Sequence, residues 1–502
     1  MSDKTLHPDT NFSVAGSQEN LRAKHNGKAS VRAKYITTTL PYVNASPHMG
    51  HALEFVQADT LARYYRLMGH EVFFNTGADE HGQKVAKKAD ESGIDRQAYA
   101  DKYAGEFDNL KTAFNLSWDN FIRTTNQQHQ VAAQHIWKLC DENGDIYKKQ
   151  YQGLYCEGCE SFKVESDLVD GKCPDHGVAP EEIAEENYFF KLSKYQDYLI
   201  KYLSQTGVII PEFRRQEALK FVEGGLEDLS ISREKSRMDW GVPVPGDDNH
   251  VMYVWFDALT NYISTLGWPE DLDGKFQKFW VDGDTLQLAG KDQVRFQAII
   301  WQAMLKSAGV VGTDQLFIHG FINSDGQKMS KSIGNVINPY KIVEKYGTDA
   351  ARYIMLRHVH PTDDSDITWD KMDEWYTANL VNGLGNLTSR VMKMAETHLD
   401  APVSITDLPP ANMSAIDEYD FMSAMDMIWG AVQKQDEKIT ETEPFKLVKE
   451  DKPAAIEIIK ALVKEVYLIA HHLEPFMPDT STKIKEAVLQ NKKPENLFAR
   501  LA

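Results

Sequence analysis

The sequence has few cysteines, no apolar run long enough to cross a bilayer and no surplus of positive charge. Four cysteines, three of them clustered, do not make a secreted disulfide framework. A spanning helix needs about 20 consecutive apolar residues, and nothing here approaches that length, so no membrane role is expected. The formal net charge of −19 argues against wholesale coating of nucleic acid and against DNA as a partner. A transfer RNA is still compatible, because a local basic face in an acidic protein can meet phosphates. There is no apolar signal-peptide core, internal repeat or low-complexity segment. A cytoplasmic protein is the expectation.

At 502 residues the chain has room for three or four domains. Residues 1–33 are polar and mildly basic, with Pro8, Gly16 and Gly27 and no apolar periodicity, which predicts a disordered tail. Its acidic residues Asp3, Asp9 and Glu19 weaken a transit-peptide reading. Order is expected from Tyr35-Ile36-Thr37-Thr38-Thr39-Leu40, a β-branched run that reads as a buried strand. A loop from Pro41 to Pro47 then leads into a helix from His48, with Leu53, Val56, Leu61, Tyr64 and Met68 at helical spacing and Gly69 at its end. Glu71-Val72-Phe73-Phe74 reads as the next strand. Strand, glycine-bearing turn, helix and strand make the first unit of a parallel α/β nucleotide fold.

The pattern changes from about Trp118 to Glu223, which reads as an insert. It returns with Val251–Phe256 and Leu286–Ala289 as strands, then a strand over Phe317–Ile322 and turn chemistry at Asp325-Gly326. Beyond Asp370 the spacing of Leu380, Leu384, Leu387 and Val391, and later of Ile458, Ile459, Leu462, Val466 and Ile469, predicts a helical bundle. The expected divisions are a catalytic α/β domain in two halves (34–118 and 226–333), an insert (119–225), a linker (334–370) and the bundle (371–502). The bundle is expected to finish with the chain, and a monomer is the default.

Three constellations carry chemistry. In Lys328-Met329-Ser330-Lys331-Ser332, two ammonium groups and a serine pair sit after the hairpin, and Ile333-Gly334-Asn335 gives a flexible exit. Such a loop suits a polyphosphate, although an isolated one is usually only solvated. In Pro47-His48-Met49-Gly50-His51, two imidazoles flank a glycine at a helix start, where amides and the dipole favour phosphate. An isolated pair of this kind reads more simply as one helix cap and one core histidine. Cys156-Glu157-Gly158-Cys159 followed by Cys173-Pro174-Asp175-His176 supplies three thiolates and one imidazole, the donor set of one closed, structural zinc. Disulfides or free thiols are the alternative, and a cytosolic setting favours zinc.

The histidine pair and lysine loop, in this order, resemble the paired nucleotide motifs of class I aminoacyl-tRNA synthetases. From about Tyr35 onward the surrounding residues resemble the methionyl-tRNA synthetase family. The resemblance implies a Rossmann-like catalytic domain with a zinc-knuckle insert and an anticodon-binding bundle. It implies a ligase that uses ATP with Mg2+ to join L-methionine to tRNA(Met) through methionyl-adenylate. It places Asn44, His48, Gly50, His51 and Glu54 against ATP, with Gly290, Asp292 and His319 on the second half. Lys328 and Lys331 would act on the phosphates. Leu40, Tyr42, Asp79, Trp255, Ala258, Tyr262, Phe296 and Gln297 would surround methionine, with Asp79 holding the α-ammonium.

In the bundle, Asn386 and Arg390 lie four apart and hence on one helical face. Without context that face would read as solvated. The resemblance makes these two residues readers of a CAU anticodon, with Phe445 as a stacking platform where the family commonly has Trp. Two further departures concern Gln287 and Gln297, which stand where the family usually has His. Isoleucyl-, valyl- and leucyl-type enzymes carry editing inserts too large for this length, and cysteinyl-type enzymes hold zinc in the amino-acid pocket. A catalytically silent, tRNA-binding or regulatory paralogue is the alternative from another class. Such proteins tend to lose the lysine loop or histidine pair, and both are present here.

Overall fold

Six parallel strands form the central sheet, in the order Asn120–Arg123, Val72–Ala78, Lys34–Thr37, Asp284–Gly290, Gln315–His319 and Ile209–Ile210. They belong to a computed structural model that describes residues 32–156, 161–163, 165–174, 177–324, 326–328, 337–406, 408–409 and 413–501. Residues 1–31, most of the expected tail, lie outside the described residues. Arg32 ion-pairs with Asp284 at 3.0 Å, and the Ala33 carbonyl accepts from the Asp284 amide.

The strand order runs outward in both directions from the Lys34–Thr37 and Asp284–Gly290 pair. In a parallel α/β sheet the crevice at the carboxyl ends of such a pair is where ligands bind. Alternation along each strand divides the core in two. Ile36, Phe74, Leu286, Leu288 and Phe317 face the helix Met49–Leu67 and share a core with the C-terminal helices. Tyr35, Phe73, Ala289, Leu316 and Ile318 face the opposite core, with Trp137, Phe256 and Trp301.

Two expected strands are corrected. The run Phe317–Ile322 is not one strand: Gln315–His319 ends in the parallel sheet, and Ile322–Ser324 starts a hairpin with Gln327–Lys328. The break is at Gly320, where a Cβ would lie 2.3 Å from the Asp363 carbonyl, so only glycine fits this approach. The run Val251–Phe256 also divides. Asp247–Met252 is a strand of a separate antiparallel sheet, and Val254–Ala258 is a short helix. Aromatic and β-branched residues follow burial here more than strand propensity.

The stretch 119–225 contributes Asn120–Arg123 and Ile209–Ile210 to the parallel sheet. Its own antiparallel sheet is ordered Ser161–Lys163, Ile146–Cys156, Glu181–Phe190 and then Leu229–Ser230. The C-terminal helices Asn386–His398, Phe421–Thr442, Lys452–Leu473 and Pro478–Leu489 bury apolar stripes against one another. A fully buried guanidinium joins them to the helix that begins after His48. Arg352 donates to Asp59 at 2.7 Å and to the Pro475 and Phe476 carbonyls at 2.9 and 2.7 Å.

Candidate active site

His48 is the N-cap of the helix Met49–Leu67. Its Nδ1 accepts from the Gly50 amide at 3.1 Å, and His51 Nδ1 accepts from the His48 amide at 3.3 Å. The two rings stack with centroids 3.7 Å apart. A ring nitrogen that accepts carries no proton, so the cap fixes the N–H of each ring on Nε2. Neither ring is core: His48 is exposed and His51 half-buried, and both belong to the cap. Gly50 permits the arrangement, because a Cβ there would lie 3.0 Å from His48 Cε1. Two imidazole donors therefore accompany the positive end of the helix dipole. Asn44, on the loop before them, is half-buried, and its carbonyl accepts from Tyr99 at 3.2 Å.

One turn further along the helix, Glu54 crosses to the other half of the sheet. Its Oε1 accepts from the Thr39 amide at 2.5 Å and its Oε2 lies 2.9 Å from His319 Nε2. His319 Nδ1 lies 2.8 Å from the Gly320 carbonyl, which can only accept. With Glu54 ionised both ring nitrogens donate, so His319 is an imidazolium. Burial alone would lower its pKa, but the Glu54 carboxylate and the Gly320 carbonyl outweigh burial and raise it above the ordinary histidine value. A Cβ on Gly290 would approach Asp292 Oδ1 to 2.8 Å and His319 Cε1 to 3.5 Å, which puts these three residues on the second side of the crevice.

The amino-acid candidates surround one aromatic cluster. Trp255 and Phe296 stack with centroids 3.9 Å apart, and Tyr42 meets Trp255 edge-on at 5.7 Å. Tyr42 and Asp79 form a parallel bridge beyond the ends of their strands, bringing the buried carboxylate of Asp79 to the same end of the sheet. Leu40 is buried nearby in sequence, and Ala258 is buried on the Trp255 helix. Gln297 Nε2 donates to the Tyr262 hydroxyl at 2.7 Å and to Thr39 Oγ1 at 3.2 Å. Burial and the nearby Glu54 charge push the Tyr262 phenol well above its ordinary pKa, so it stays protonated. Gln287 joins the same network from below. Its Oε1 accepts from Thr313 Oγ1, which also accepts from Gln302, and Gln302 Nε2 donates to the Gln297 carbonyl.

Two groups behind the pocket were not anticipated from sequence. Arg233 is buried with its guanidinium 4.8 Å from the Tyr253 ring and 5.2 Å from Tyr155, so it links the insert to the residue two before Trp255. Asp257, on the Trp255 helix, accepts from His81 at 2.6 Å and from His129 at 2.8 Å, all three buried. Burial opposes its charge, yet the two histidines hold its pKa down to about 2. The sequence signals for both groups are weak. A lone Arg after a serine, or a His 128 residues from its partner, fits no local pattern.

The remaining candidates fall elsewhere. Cys156 ends its strand opposite Ser161, and Cys173 closes a tight turn in which its carbonyl accepts from Gly177 at 2.7 Å; both thiols are buried. Cys159 and His176 lie outside the described residues, and among the described residues no group of three histidine, cysteine or carboxylate side chains is arranged to hold a metal ion. Lys328 ends the strand Gln327–Lys328, which pairs with Ile322–Ser324. Lys331 lies outside the described residues. In the bundle Asn386 is exposed, Arg390 pairs with Asp436 at 3.1 Å, and Phe445 is 46% exposed.

The same fold recurs in known proteins. The family model described as tRNA synthetases class I (M) matches residues 34–182 and 166–392. The methionine–tRNA ligase of Fusobacterium nucleatum is 39% identical over 482 residues, covering 92% of this chain and 75% of that one. That of Rhizobium meliloti is 39% identical over 474 residues, covering 90% and 91%. The Mycobacterium tuberculosis methionyl-tRNA synthetase, solved in complex with methionyl-adenylate, superposes with a TM-score of 0.84 at 37% identity, covering 90% of this chain and 93% of that one. A parallel sheet with a histidine-capped helix at its switch point, matched at this identity over nine-tenths of its length, places the chain in the class I methionyl-tRNA synthetase family.

Proposed function

We propose that the crevice at the switch point activates L-methionine and charges tRNA(Met) with it. The observation that carries this reading is the meeting of the His48–His51 cap, the Glu54–His319 pair and the Tyr42–Trp255–Phe296 cluster at one end of the sheet. A methionine carboxylate oxygen attacks the α-phosphorus of ATP in line, the bond to the bridging oxygen breaks, and pyrophosphate leaves with Mg2+. The terminal ribose hydroxyl of tRNA then attacks the mixed anhydride and AMP departs with the bonding pair. The protein acts by positioning and by placing charge where charge develops.

Each residue's part follows from its surroundings. The Nε2–H groups of His48 and His51 donate to phosphate oxygens, and Lys328 and Lys331 meet the charge that grows on the pyrophosphate. Gly50 and Gly290 let the nucleotide approach the backbone, between Asn44 and Asp292. Asp79 holds the α-ammonium. The aromatic cluster contacts the polarizable thioether. Because Gln297 donates to the Tyr262 oxygen, the Tyr262 proton is directed elsewhere, and the substrate sulfur is its acceptor.

Cys156, Cys159, Cys173 and His176 would hold one zinc, which supplies a cross-link for the insert and no chemistry at phosphorus. The buried side chains of Cys156 and Cys173 fit that donor set. Asn386, Arg390 and Phe445 read the CAU anticodon. The protein works as a monomer in the cytoplasm.

Amino-acid-dependent pyrophosphate exchange into ATP tests the reading. Methionine should come first, with measurable activation of norleucine or homocysteine, since one methylene is worth only about 1–3 kcal/mol in such a pocket. Failure to activate methionine above leucine, isoleucine, valine and cysteine would overturn it.

A further inference from the structure

Among the described residues, the exposed large hydrophobic side chains include the aromatic rings of Phe213, Phe221, Trp369 and Phe445. Trp369 stacks on Tyr346, and Phe445 is taken up by the anticodon reading. Phe213 and Phe221 have no assigned role. They are 41% and 43% exposed on one helix, Glu212–Glu223, whose other side is anchored in the core by Ala218 and Val222. Eight residues apart, they lie two turns from each other on the same side. Each ring carries a guanidinium, Arg214 over Phe213 and Arg295 over Phe221, both at 4.8 Å.

The position of this helix matters as much as its composition. It starts at the carboxyl end of the Ile209–Ile210 strand, which pairs in parallel with the strand ending at His319. The helix therefore leaves the sheet at its ligand-binding edge. It packs against the segment Arg295–Ile300, in which Arg295 directly precedes the pocket residue Phe296. Phe221 thus meets the residue next in sequence to Phe296, a member of the Trp255–Phe296 stack.

We propose that this face of the Glu212–Glu223 helix is the stacking platform for the unpaired 3′ end of tRNA as it enters the site. The inference rests on the reading of the chain as a tRNA-charging enzyme. Unpaired bases stack on aromatic faces with little regard to sequence, and Arg295 over Phe221 adds cation–π attraction and a charge for a phosphate, while Arg214 over Phe213 is paired with Glu217 at 2.7 Å. Exposed Lys220 and Arg295 add local positive charge to a chain whose net charge is −19. Exposed Gln216 and Glu217 separate the two rings, so the face is too polar for the apolar core of a protein–protein contact. Spaced rings with cations between polar residues suit successive bases.

The test compares intact tRNA(Met) with the same tRNA shortened by its unpaired 3′ nucleotides, binding each to the full-length protein with Phe221→Ala, Phe213→Ala and Phe221→Trp. Stacking of about 1–3 kcal/mol per base predicts that wild type prefers the intact tRNA by roughly tenfold or more, and that each alanine variant loses most of that preference. Phe221→Trp should restore it. In single-turnover assays the loss in methionyl transfer should exceed any loss in methionine-dependent pyrophosphate exchange by about tenfold. Equal weakening on both tRNAs, an unchanged preference, or a shift in oligomeric state would overturn the proposal. Absence of methionine-dependent exchange in the wild-type protein would instead strike the reading beneath it.

Discussion

Substituting Glu54 by Gln separates charge from geometry at the center of the site. In the wild type Glu54 accepts from the Thr39 amide and from His319, and His319 donates its second proton to the Gly320 carbonyl. A glutamine in the same place can accept from Thr39 with its oxygen and donate to His319 with its amide. His319 then becomes neutral, accepting at Nε2 and still donating at Nδ1, and every group keeps a partner. Glu54→Ala leaves both the amide and the imidazole without the carboxylate. Removing one member of a buried pair costs about 3–5 kcal/mol, whereas the isosteric exchange should cost about 1 kcal/mol.

The two variants also differ in pH dependence. The raised pKa of His319 gives stability that is fully present below the unfolded value and is lost as pH rises through the folded value. Urea denaturation of the wild type should therefore show a decline on the alkaline side of the ordinary histidine range. Glu54→Gln should remove that decline, because burial of a neutral imidazole no longer favours proton uptake. Equal destabilisation by Gln and Ala, or an unchanged alkaline decline in Glu54→Gln, would refute the imidazolium assignment.

Three further outcomes are expected. Lys331→Ala should lower the rate of adenylate formation by several orders of magnitude with a smaller change in ATP affinity, measured by single-turnover kinetics. Equal losses would make Lys331 a binding residue only. Metal analysis should find one equivalent of zinc, and Cys156→Ser should make the insert more protease-sensitive, with activity following indirectly; a metal-free protein of full stability would eliminate the site. Arg390→Ala or Phe445→Ala should slow charging by roughly ten- to a hundredfold while methionine-dependent pyrophosphate exchange holds, and the loss should shrink on tRNA with a non-CAU anticodon.

What the sequence made legible was whatever the backbone imposes locally. His48 and His51 are three residues apart at a helix start, so their reciprocal cap follows from spacing. Gly69 ends its helix at φ 85°, a conformation glycine reaches without a Cβ penalty. The helix was read almost to its ends for the same reason, whereas the first strand stops at Thr37 rather than Leu40 and the second runs on to Ala78 rather than ending at Phe74. The two misread strands fail where tertiary contact overrides propensity: Gly320 against the Asp363 backbone, and the short helix Val254–Ala258 that buries Trp255 and Phe256.

The polar couplings behind the site were not legible because their members are remote in sequence. Glu54 and His319 stand 265 positions apart, and Asp257 and His81 stand 176 apart. No periodicity joins such residues. Glu54 and His319 meet because one stands on the helix that follows the Lys34–Thr37 strand and the other ends the Gln315–His319 strand, on the two sides of the crevice. A buried charge there survives only if its counterpart is complementary. The architecture requires that a partner exist, and only the folded chain identifies Glu54 for His319, or Gln297 for Tyr262. Gln287 accepts from Thr313, Gln297 donates to Tyr262 and Thr39, and Gln302 reaches only the backbone carbonyl of Gln297, so each side-chain amide has its own partners.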